Sequence, residues 1–504
     1  MDTQPALHVS PAKNHHPFTR RDFRVIAALM SLTWALAWTV RDPFIADWDC
    51  FDYTACVVQG TPSPLGLGRA LFLAVNRALW LTAHHAFGLG PENAYAIIKY
   101  GVILQSGLAT AGLYALYREL TGDRTAALWA TLLLTLSPLY VLYSGRGMTE
   151  IPGLLLLSWS LCWLLRGLRR GSFPTYLAAA TLFGLSANVR EFAVFYLPIV
   201  AIAGWAPGQA HGWARRRICL ATLLAVLAML SGPLYWALAW PEYYLPALRT
   251  WYALSAAERA EYPVTIRNLW LLLGYAFICA PFAFVIFPAA CRACIRHFRR
   301  DPAMIVAASL AILGFLSIVI LLANHDLSVN PRYLLTGWFG LAPLCGGWLA
   351  AWHENHPWRA RGWMTGLFLA LTLAGLAGMW LFLARAQWPQ TYAARDYARQ
   401  IQPLPDNAVF IVGRRTPLVN FYQRIGARPG WQTIPFGAGW PDQQLETTLD
   451  EHLRAGRPLY VDFDESLWDK TMRPHSREAA GLQQIRDRYE LRAVTGTLFQ
   501  VMEK

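Results

Sequence analysis

The chain has 504 residues, of which 55% are hydrophobic and only 15% are charged, and its mean hydropathy is +0.29. Because soluble proteins carry charge on about a quarter of their residues, this composition excludes an ordinary soluble enzyme. The formal net charge of +13 does not indicate nucleic-acid binding either, since the arginines cluster in every second short loop, as they do in the cytoplasmic loops of membrane proteins.

Apolar runs long enough to cross the roughly 30 Å hydrocarbon core of a bilayer recur through residues 23–385. The N-terminal arm, residues 1–22, is predicted to be cytoplasmic and to lack a cleavable signal peptide, because the first apolar run is too long for one. The sequence thus predicts a polytopic α-helical membrane protein with about eleven transmembrane helices and an extracytoplasmic C-terminus. The predicted spans lie near residues 23–40, 94–116, 126–143, 152–165, 176–188, 192–205, 218–240, 270–289, 304–323, 334–352 and 364–383.

Three carboxylates follow the first predicted span, on what should be the outer rim of the membrane. Asp47, Asp49 and Asp52 lie within six positions, where spanning the bilayer does not require them. The alternative interpretation is a solvated acidic loop. Asp49 and Asp52 would share a face of a helix, whereas Asp47 and Asp49 would share a face of an extended segment.

The segment over residues 68–87 is apolar but is interrupted by polar side chains at helical spacing. This pattern predicts an amphipathic helix in the membrane interface. A true span is the alternative, and it would invert the positive-inside pattern of the loops that follow.

Basic side chains lie at the outer ends of several predicted spans. Arg146, Arg190 and Arg332 each occupy such an end, and Lys99 lies about two turns into a span. Arginine matches phosphate oxygens with its planar fork, so these residues could bind a lipid phosphate. The alternative for each is that it extends towards the lipid headgroups.

Residues 386–504 have a soluble composition. Strands near 408–413 and 458–463 alternate with helices near 392–401 and 478–488, and one or two further strands close the chain. This alternation predicts a small α/β domain. The sequence after the first strand has no nucleotide-binding fingerprint, and no phosphate-binding loop or dinucleotide motif follows a strand elsewhere.

An enzyme on the outer face has no access to cytoplasmic nucleotide sugars, so an activated donor must arrive attached to a lipid. Polyprenyl phosphate is a suitable leaving group, because arginines can hold its charge. A carboxylate near the anomeric carbon can then take the proton of an acceptor hydroxyl. Glu150, in the second outer connection, could hold acceptor hydroxyls or help bind a metal, and Asp47-Trp48-Asp49 matches the short D-x-D motif, so a divalent metal cofactor stays open.

Several short segments carry a family resemblance, namely Asp47–Tyr53, Ser137-Pro138, Tyr143–Pro152, Asn188–Glu191, Pro331–Tyr333 and the soluble tail. In their order, these parts resemble the GT-C superfamily of polyprenyl-phosphate-sugar glycosyltransferases, especially its bacterial protein O-mannosyltransferase-like and lipid A aminoarabinose transferase-like members. The resemblance implies that an acidic residue of the first outer loop, Asp49 or its neighbours Asp47 and Asp52, is the catalytic base and that the second-loop acid is Glu150. The chain lacks the Asp-Glu pair that is common in that first loop.

The sequence therefore predicts an inverting glycosyltransferase, hexosyl or pentosyl, in a bacterial cytoplasmic (inner) membrane. It would move a sugar from a polyprenyl-phosphate donor to a glycan, lipid or protein acceptor of the cell envelope, with Tyr53, Tyr252 and His325 contacting the acceptor. A transporter or flippase for a lipid-linked sugar is the alternative. Transporters place ionisable residues near the midplane and repeat one half in the other, whereas here the charges lie at the outer rim.

Overall fold

The computed structural model describes residues 18–63, 65, 69–210, 213–261, 270, 273–274, 276–277, 280–296, 302–324, 331–412, 416–435, 442–463, 477–496 and 498–504. These residues are mostly helical and contain one small sheet. The chain divides into two compact units. The first, called the helical unit, comprises Met1–Arg41, Pro62–Asn76 and Ile98–Ala384, and the second, called the mixed unit, comprises Asp42–Thr61, Arg77–Ile97 and Arg385–Lys504.

The helices of the described residues are numbered here in chain order. They are α1 (Arg20–Thr39), α2 (Trp48–Gln59), α3 (Ala70–Phe87), α4 (Ala94–Thr121), α5 (Arg124–Thr135), α6 (Pro138–Ser144), α7 (Glu150–Arg169), α8 (Phe173–Ser186), α9 (Pro198–Ala210), α10 (Arg215–Ala239), α11 (Pro241–Glu261), α12 (Pro281–Arg296), α13 (Pro302–Asn324), α14 (Leu334–Asn355), α15 (Trp358–Phe382), α16 (Trp388–Ile401), α17 (Thr416–Arg424), α18 (Asp442–Arg454) and α19 (Arg477–Arg488).

Within the described residues, five helical stretches are long and apolar enough to cross a membrane, and counting α5 with α6 as one bent span gives six. Shorter apolar helices lie where further spans were predicted, so the number eleven stays a prediction. The five stretches are Pro91–Thr121, Glu150–Arg169, Arg215–Ala239, Leu334–Asn355 and Trp358–Ile401, and the shorter helices are Phe173–Ser186, Glu191–Trp205, Pro281–Arg292 and Ile305–Ile320. Helix α3 lies where the interfacial helix was predicted and is outside the group of five.

The span predicted over residues 126–143 is bent, because α5 and α6 are together apolar enough to cross a membrane but are separated by a break. Helices α5 and α6 meet at 67°, and the break falls at Ser137-Pro138. Pro138 lacks a backbone N–H and is tolerated at the first position of a helix. The Ser137 hydroxyl accepts a hydrogen bond from the Tyr140 N–H at 3.3 Å, which caps the new helix.

Glycines set close approaches between helices of the helical unit. A Cβ added at Gly346 of α14 would lie 2.6 Å from the Ala126 carbonyl oxygen of α5, and one at Gly184 of α8 would collide with the Ala225 carbonyl of α10. Small residues at such contacts let helix backbones pack tightly in membrane proteins. This packing fixes the helix ends from which the charged side chains described below project.

The mixed unit contains a five-stranded sheet in the order β2-β1-β3-β5-β4. Strand β1 pairs in parallel with β2 and β3, and β5 pairs antiparallel with β3 and β4. Alternate apolar residues of β1 and β3, together with residues of α18 and α19, form its buried core. The strands are β1 (Val409–Val412), β2 (Gln432–Pro435), β3 (Leu459–Asp462), β4 (Glu490–Thr495) and β5 (Leu498–Met502).

The mixed unit resumes at Arg385, one residue before the predicted start of the soluble domain. It also includes two segments that the sequence assigned to the transmembrane domain, and one of these carries the three aspartates. Strands β1 and β3 and helices α16 and α19 lie where strands and helices were predicted. Strand β2 and helices α17 and α18 were not predicted.

Candidate active site

A buried carboxylate and two buried arginines meet in the helical unit. Glu150 begins α7 and is 1% exposed. Its Oε1 lies 3.0 Å from Arg190 Nη2 and 3.5 Å from Arg332 Nε. Arg190 precedes a short 3-10 helix, Glu191–Tyr196, and Arg332 lies in a 3-10 turn that leads into α14. Three predicted outer connections thus contribute to one ion-pair cluster.

The cluster continues through two residues that were not selected from the sequence. Glu191 Oε1 lies 3.8 Å from Arg190 Nη1 and 3.2 Å from Arg69 Nη2. Arg69 lies just before α3 and has a φ of +47°, a backbone conformation that is uncommon outside glycine. Together Arg69, Arg190 and Arg332 outnumber the two glutamates by one positive charge.

The aromatic ring of Tyr333 lies beside two of these arginines. Its centroid is 5.3 Å from the Arg190 guanidinium carbon and 5.7 Å from that of Arg332, within the range of a cation–π contact. The Thr149 hydroxyl accepts a hydrogen bond from Arg190 Nη1 at 3.2 Å. Neither oxygen of Glu150 accepts a hydrogen bond from any described residue. Among these residues, the ion pairs with Arg190 and Arg332 are therefore the contacts that stabilise the carboxylate.

Such an arrangement can bind an anion. Buried charges are expensive unless they are paired and hydrogen-bonded, and a set of three guanidinium groups and two carboxylates has the charge to attract an anion. The planar guanidinium offers paired N–H donors to phosphate or carboxylate oxygens. We call the set Arg69, Glu150, Arg190, Glu191 and Arg332 the arginine cluster.

The other two predicted phosphate-binding residues are also buried in the helical unit. Arg146 is 4% exposed, with its guanidinium carbon 5.2 Å from the centroid of the Tyr143 ring, and Lys99 is 7% exposed, with Nζ 5.2 Å from the centroid of Tyr100. Both side chains lie against aromatic rings, so neither extends freely from the protein surface.

In the mixed unit, the acidic stretch forms the first part of α2, which decides between the helical and the extended alternative. The Asp47 carboxylate caps this helix by accepting a hydrogen bond from the Asp49 N–H at 3.1 Å. The Asp52 carboxylate forms an ion pair with Arg424 of α17 at 2.7 Å. The Tyr53 hydroxyl donates to Asp49 Oδ2 at 3.4 Å. Each of the three aspartates therefore has a structural contact: Asp47 caps the helix, Asp49 accepts a hydrogen bond and Asp52 forms an ion pair.

The predicted acceptor-binding residues fall in different surroundings. Tyr53 is fully buried, whereas Tyr252 is 54% exposed. Tyr252 lies on α11, a helix that continues past Pro246 between the spans predicted over residues 218–240 and 270–289. His325 lies outside the described residues.

A metal site was left open by the D-x-D motif. Among the residues that the structure describes, no three His, Cys, Asp or Glu side chains lie together as possible metal ligands. Asp47 is engaged as a helix cap, so the motif provides no evident pair of ligands.

Residues 77–236 match the family model described as dolichyl-phosphate-mannose-protein mannosyltransferase. No curated protein sequence matches the chain.

Several solved structures share the fold at low sequence identity. ArnT from Cupriavidus metallidurans, bound to undecaprenyl phosphate, is 13% identical with a TM-score of 0.55, over 95% of this chain and 97% of that one. The oligosaccharyltransferase of Archaeoglobus fulgidus is 12% identical with a TM-score of 0.54, over 87% of this chain and 70% of that one. The mycobacterial arabinofuranosyltransferase AftD is 13% identical with a TM-score of 0.55, over 96% of this chain and 38% of that one.

Proposed function

Because this chain has the fold of the GT-C superfamily of glycosyltransferases, we propose that it is an inverting glycosyltransferase that uses a polyprenyl-phosphate sugar. The acceptor is a glycan, lipid or protein on the outer side of the membrane that holds the enzyme, a bacterial inner membrane. The family model covers a mannosyl transfer activity in its description, and the structural neighbours include one bound to undecaprenyl phosphate. Those properties belong to the relatives and support the proposal only by likeness.

The observation that carries the proposal is the arginine cluster. A lipid-linked donor reacts with loss of a phosphate that must be held as negative charge develops on its leaving oxygen. Arg332 and Arg190 are buried beside Glu150, and the cluster contains three guanidinium groups and two carboxylates. A phosphate monoester or diester is therefore a ligand of suitable charge, and Arg146 and Lys99 are further candidates to contact it.

The proposed general base is Asp49. Asp47 caps α2 and Asp52 pairs with Arg424, whereas Asp49 receives a hydrogen bond from Tyr53, which suits a carboxylate that must be oriented. In the reaction, the acceptor oxygen bonds to the anomeric carbon from the face opposite the phosphate. The bond from that carbon to the phosphate oxygen breaks, and its electron pair leaves with the polyprenyl phosphate. The proton of the acceptor hydroxyl passes to the Asp49 carboxylate.

The experiment is a transfer assay in membranes that contain the protein and a labelled polyprenyl-phosphate sugar. Release of free polyprenyl phosphate with sugar appearing on an acceptor is the expected result, and mass analysis of glycolipids and glycoproteins with and without the protein identifies both. A flippase would move the donor and leave its sugar–phosphate bond intact.

The matched variants are Asp49→Asn and Asp47→Asn. Asparagine caps a helix about as well as aspartate does, so Asp47→Asn should keep transfer near the wild-type rate. Asp49→Asn should lower the rate at least about a hundredfold, which is the usual contribution of a general base. Equal activity of both variants would exclude Asp49 as the base, and intact donor in every preparation would overturn the glycosyltransferase proposal.

A further inference from the structure

Helix α2 is held by another helix of the mixed unit. Arg424, the last residue of α17, donates from Nη1 to Asp52 Oδ1 at 2.7 Å and from Nη2 to Cys56 Sγ at 3.2 Å. Asp52 and Cys56 are one helical turn apart on α2. One guanidinium therefore contacts two successive turns of the helix that carries Asp49.

Apolar contacts and a second arginine hold the same helix. The Phe51 ring packs edge-on against Phe421 of α17, with centroids 5.7 Å apart. Arg77 Nη1 donates to the Val57 and Val58 carbonyls at 2.8 and 2.9 Å, which satisfies two carbonyls at the C-terminal end of α2. Helix α2 is thus fixed along its middle by α17 and at its end by Arg77.

The surroundings of Cys56 show how closely this contact is packed. Its thiol is buried, and burial, together with the Asp52 carboxylate, raises the pKa of that thiol to about 12. The Asp52 side chain is 16% exposed and that of Arg424 is 30% exposed. The ion pair is therefore partly shielded from water, although it remains near the surface.

We propose that Arg424 is a positioning residue that sets the place of α2, and through it the place of the Asp49 carboxylate. The proposal rests on the proposed function, in which Asp49 is the general base. A base must lie within hydrogen-bond reach of the proton it takes, and a displacement of about 1 Å can cost about a hundredfold in rate. Arg424 would make the folded α/β domain a part of the catalytic machinery rather than an appendage.

A purely structural role predicts a different result. If Arg424 only stabilised the fold, its loss would lower the free energy of unfolding by at most about 1 kcal/mol, as for other partly exposed ion pairs. The kcat of the folded protein would not change. A positioning role predicts a lower kcat with little change in KM for the donor, because Arg424 would act through α2 and not on the donor itself. The two roles thus differ in whether kcat falls by more than the small loss of unfolding free energy can explain.

The test compares Arg424→Gln with Arg428→Gln in the full-length, detergent-solubilised protein. Arg428 pairs with Asp406 at 2.7 Å, so it is a matched ion-pair control in the same unit. We expect Arg424→Gln to lower kcat about ten- to a hundredfold and to speed hydrogen–deuterium exchange of the amides of α2. We expect Arg428→Gln to leave both unchanged.

The reversed pair Asp52→Arg with Arg424→Asp should restore slow exchange in α2 and part of the lost rate. Unchanged exchange of α2 in Arg424→Gln would overturn the positioning role whether or not transfer is observed. An unchanged kcat with faster exchange would overturn it as well. Absence of transfer by the wild-type protein would instead overturn the proposed function, since the exchange measurement does not depend on activity.

Discussion

Two carboxylates of the helical unit are buried between two arginines each, and they differ in what else contacts them. Asp22, in the first turn of α1, lies 3.0 Å from Arg124 Nε and 3.8 Å from Arg118 Nε. It also accepts hydrogen bonds from the Thr19 N–H at 2.8 Å and from the Tyr114 hydroxyl at 2.9 Å. Glu150 has ion pairs at similar distances and no hydrogen bond from the described residues.

The difference indicates which cluster is structural and which is available to a ligand. A buried carboxylate that is paired, capped and hydrogen-bonded on both oxygens offers little to an incoming group. One that has ion pairs but no hydrogen bond from the described residues is a costly arrangement if it serves stability alone. We therefore expect changes at Asp22 to affect folding and changes around Glu150 to affect binding.

The largest effect should come from Asp22→Asn. The substitution keeps the shape of the side chain but leaves Arg118 and Arg124 without their shared counter-ion. Removing one partner of a buried ion pair typically costs about 3–5 kcal/mol. We expect a clear drop in the thermal unfolding temperature of the solubilised protein, with unchanged affinity for undecaprenyl phosphate in the fraction that remains folded. A normal unfolding temperature with lost lipid affinity would reverse the assignment of the two clusters.

Arg332→Gln should have the next largest effect, and on binding. The loss of one charge-assisted hydrogen bond is worth about 1.5–3 kcal/mol, so affinity for undecaprenyl phosphate should fall about ten- to a hundredfold. The measurement is a titration of the solubilised protein with the lipid. Arg124→Gln is the matched control at the other cluster and should lower stability while keeping lipid affinity. Equal affinity of the two variants would remove Arg332 from the phosphate site.

The contrast between the two clusters was only partly predictable from the sequence. Arg190 and Arg332 are candidates because each lies at the outer end of a predicted span, and Glu150 is one because it lies in the second outer connection. Hydropathy and loop position reveal both properties. The convergence of these three residues could not be read from the sequence, because it depends on how α7, α8 and α14 pack. Arg69 was missed for the same reason, since its partner Glu191 is 122 residues away.

The same limit applies to the local structure. The sequence identifies the three aspartates, but it does not distinguish a helix from an extended segment. The structure shows a helix, with Asp47 as the cap of α2. Strands β1 and β3 were predicted because they are continuous apolar runs. Strand β2, with the sequence Gln432-Thr433-Ile434-Pro435, has one large apolar residue besides proline, and only its pairing with β1 makes it a strand.

The smallest effects should come from the two tyrosines, and they sharpen the comparison because different parts of the ring matter. Tyr114 contributes its hydroxyl to Asp22, so Tyr114→Phe should cost about 1 kcal/mol of stability, the usual net value of one hydrogen bond.

Tyr333 contributes its ring to Arg190 and Arg332. Tyr333→Phe should therefore retain lipid affinity. Tyr333→Leu, which removes the cation–π contacts, should weaken it about two- to fivefold. The same titration and the same thermal scan measure all three variants. If Tyr333→Phe weakened lipid binding as much as Tyr333→Leu does, the Tyr333 hydroxyl rather than its ring would contribute to the site, and the two clusters would use their tyrosines in the same way.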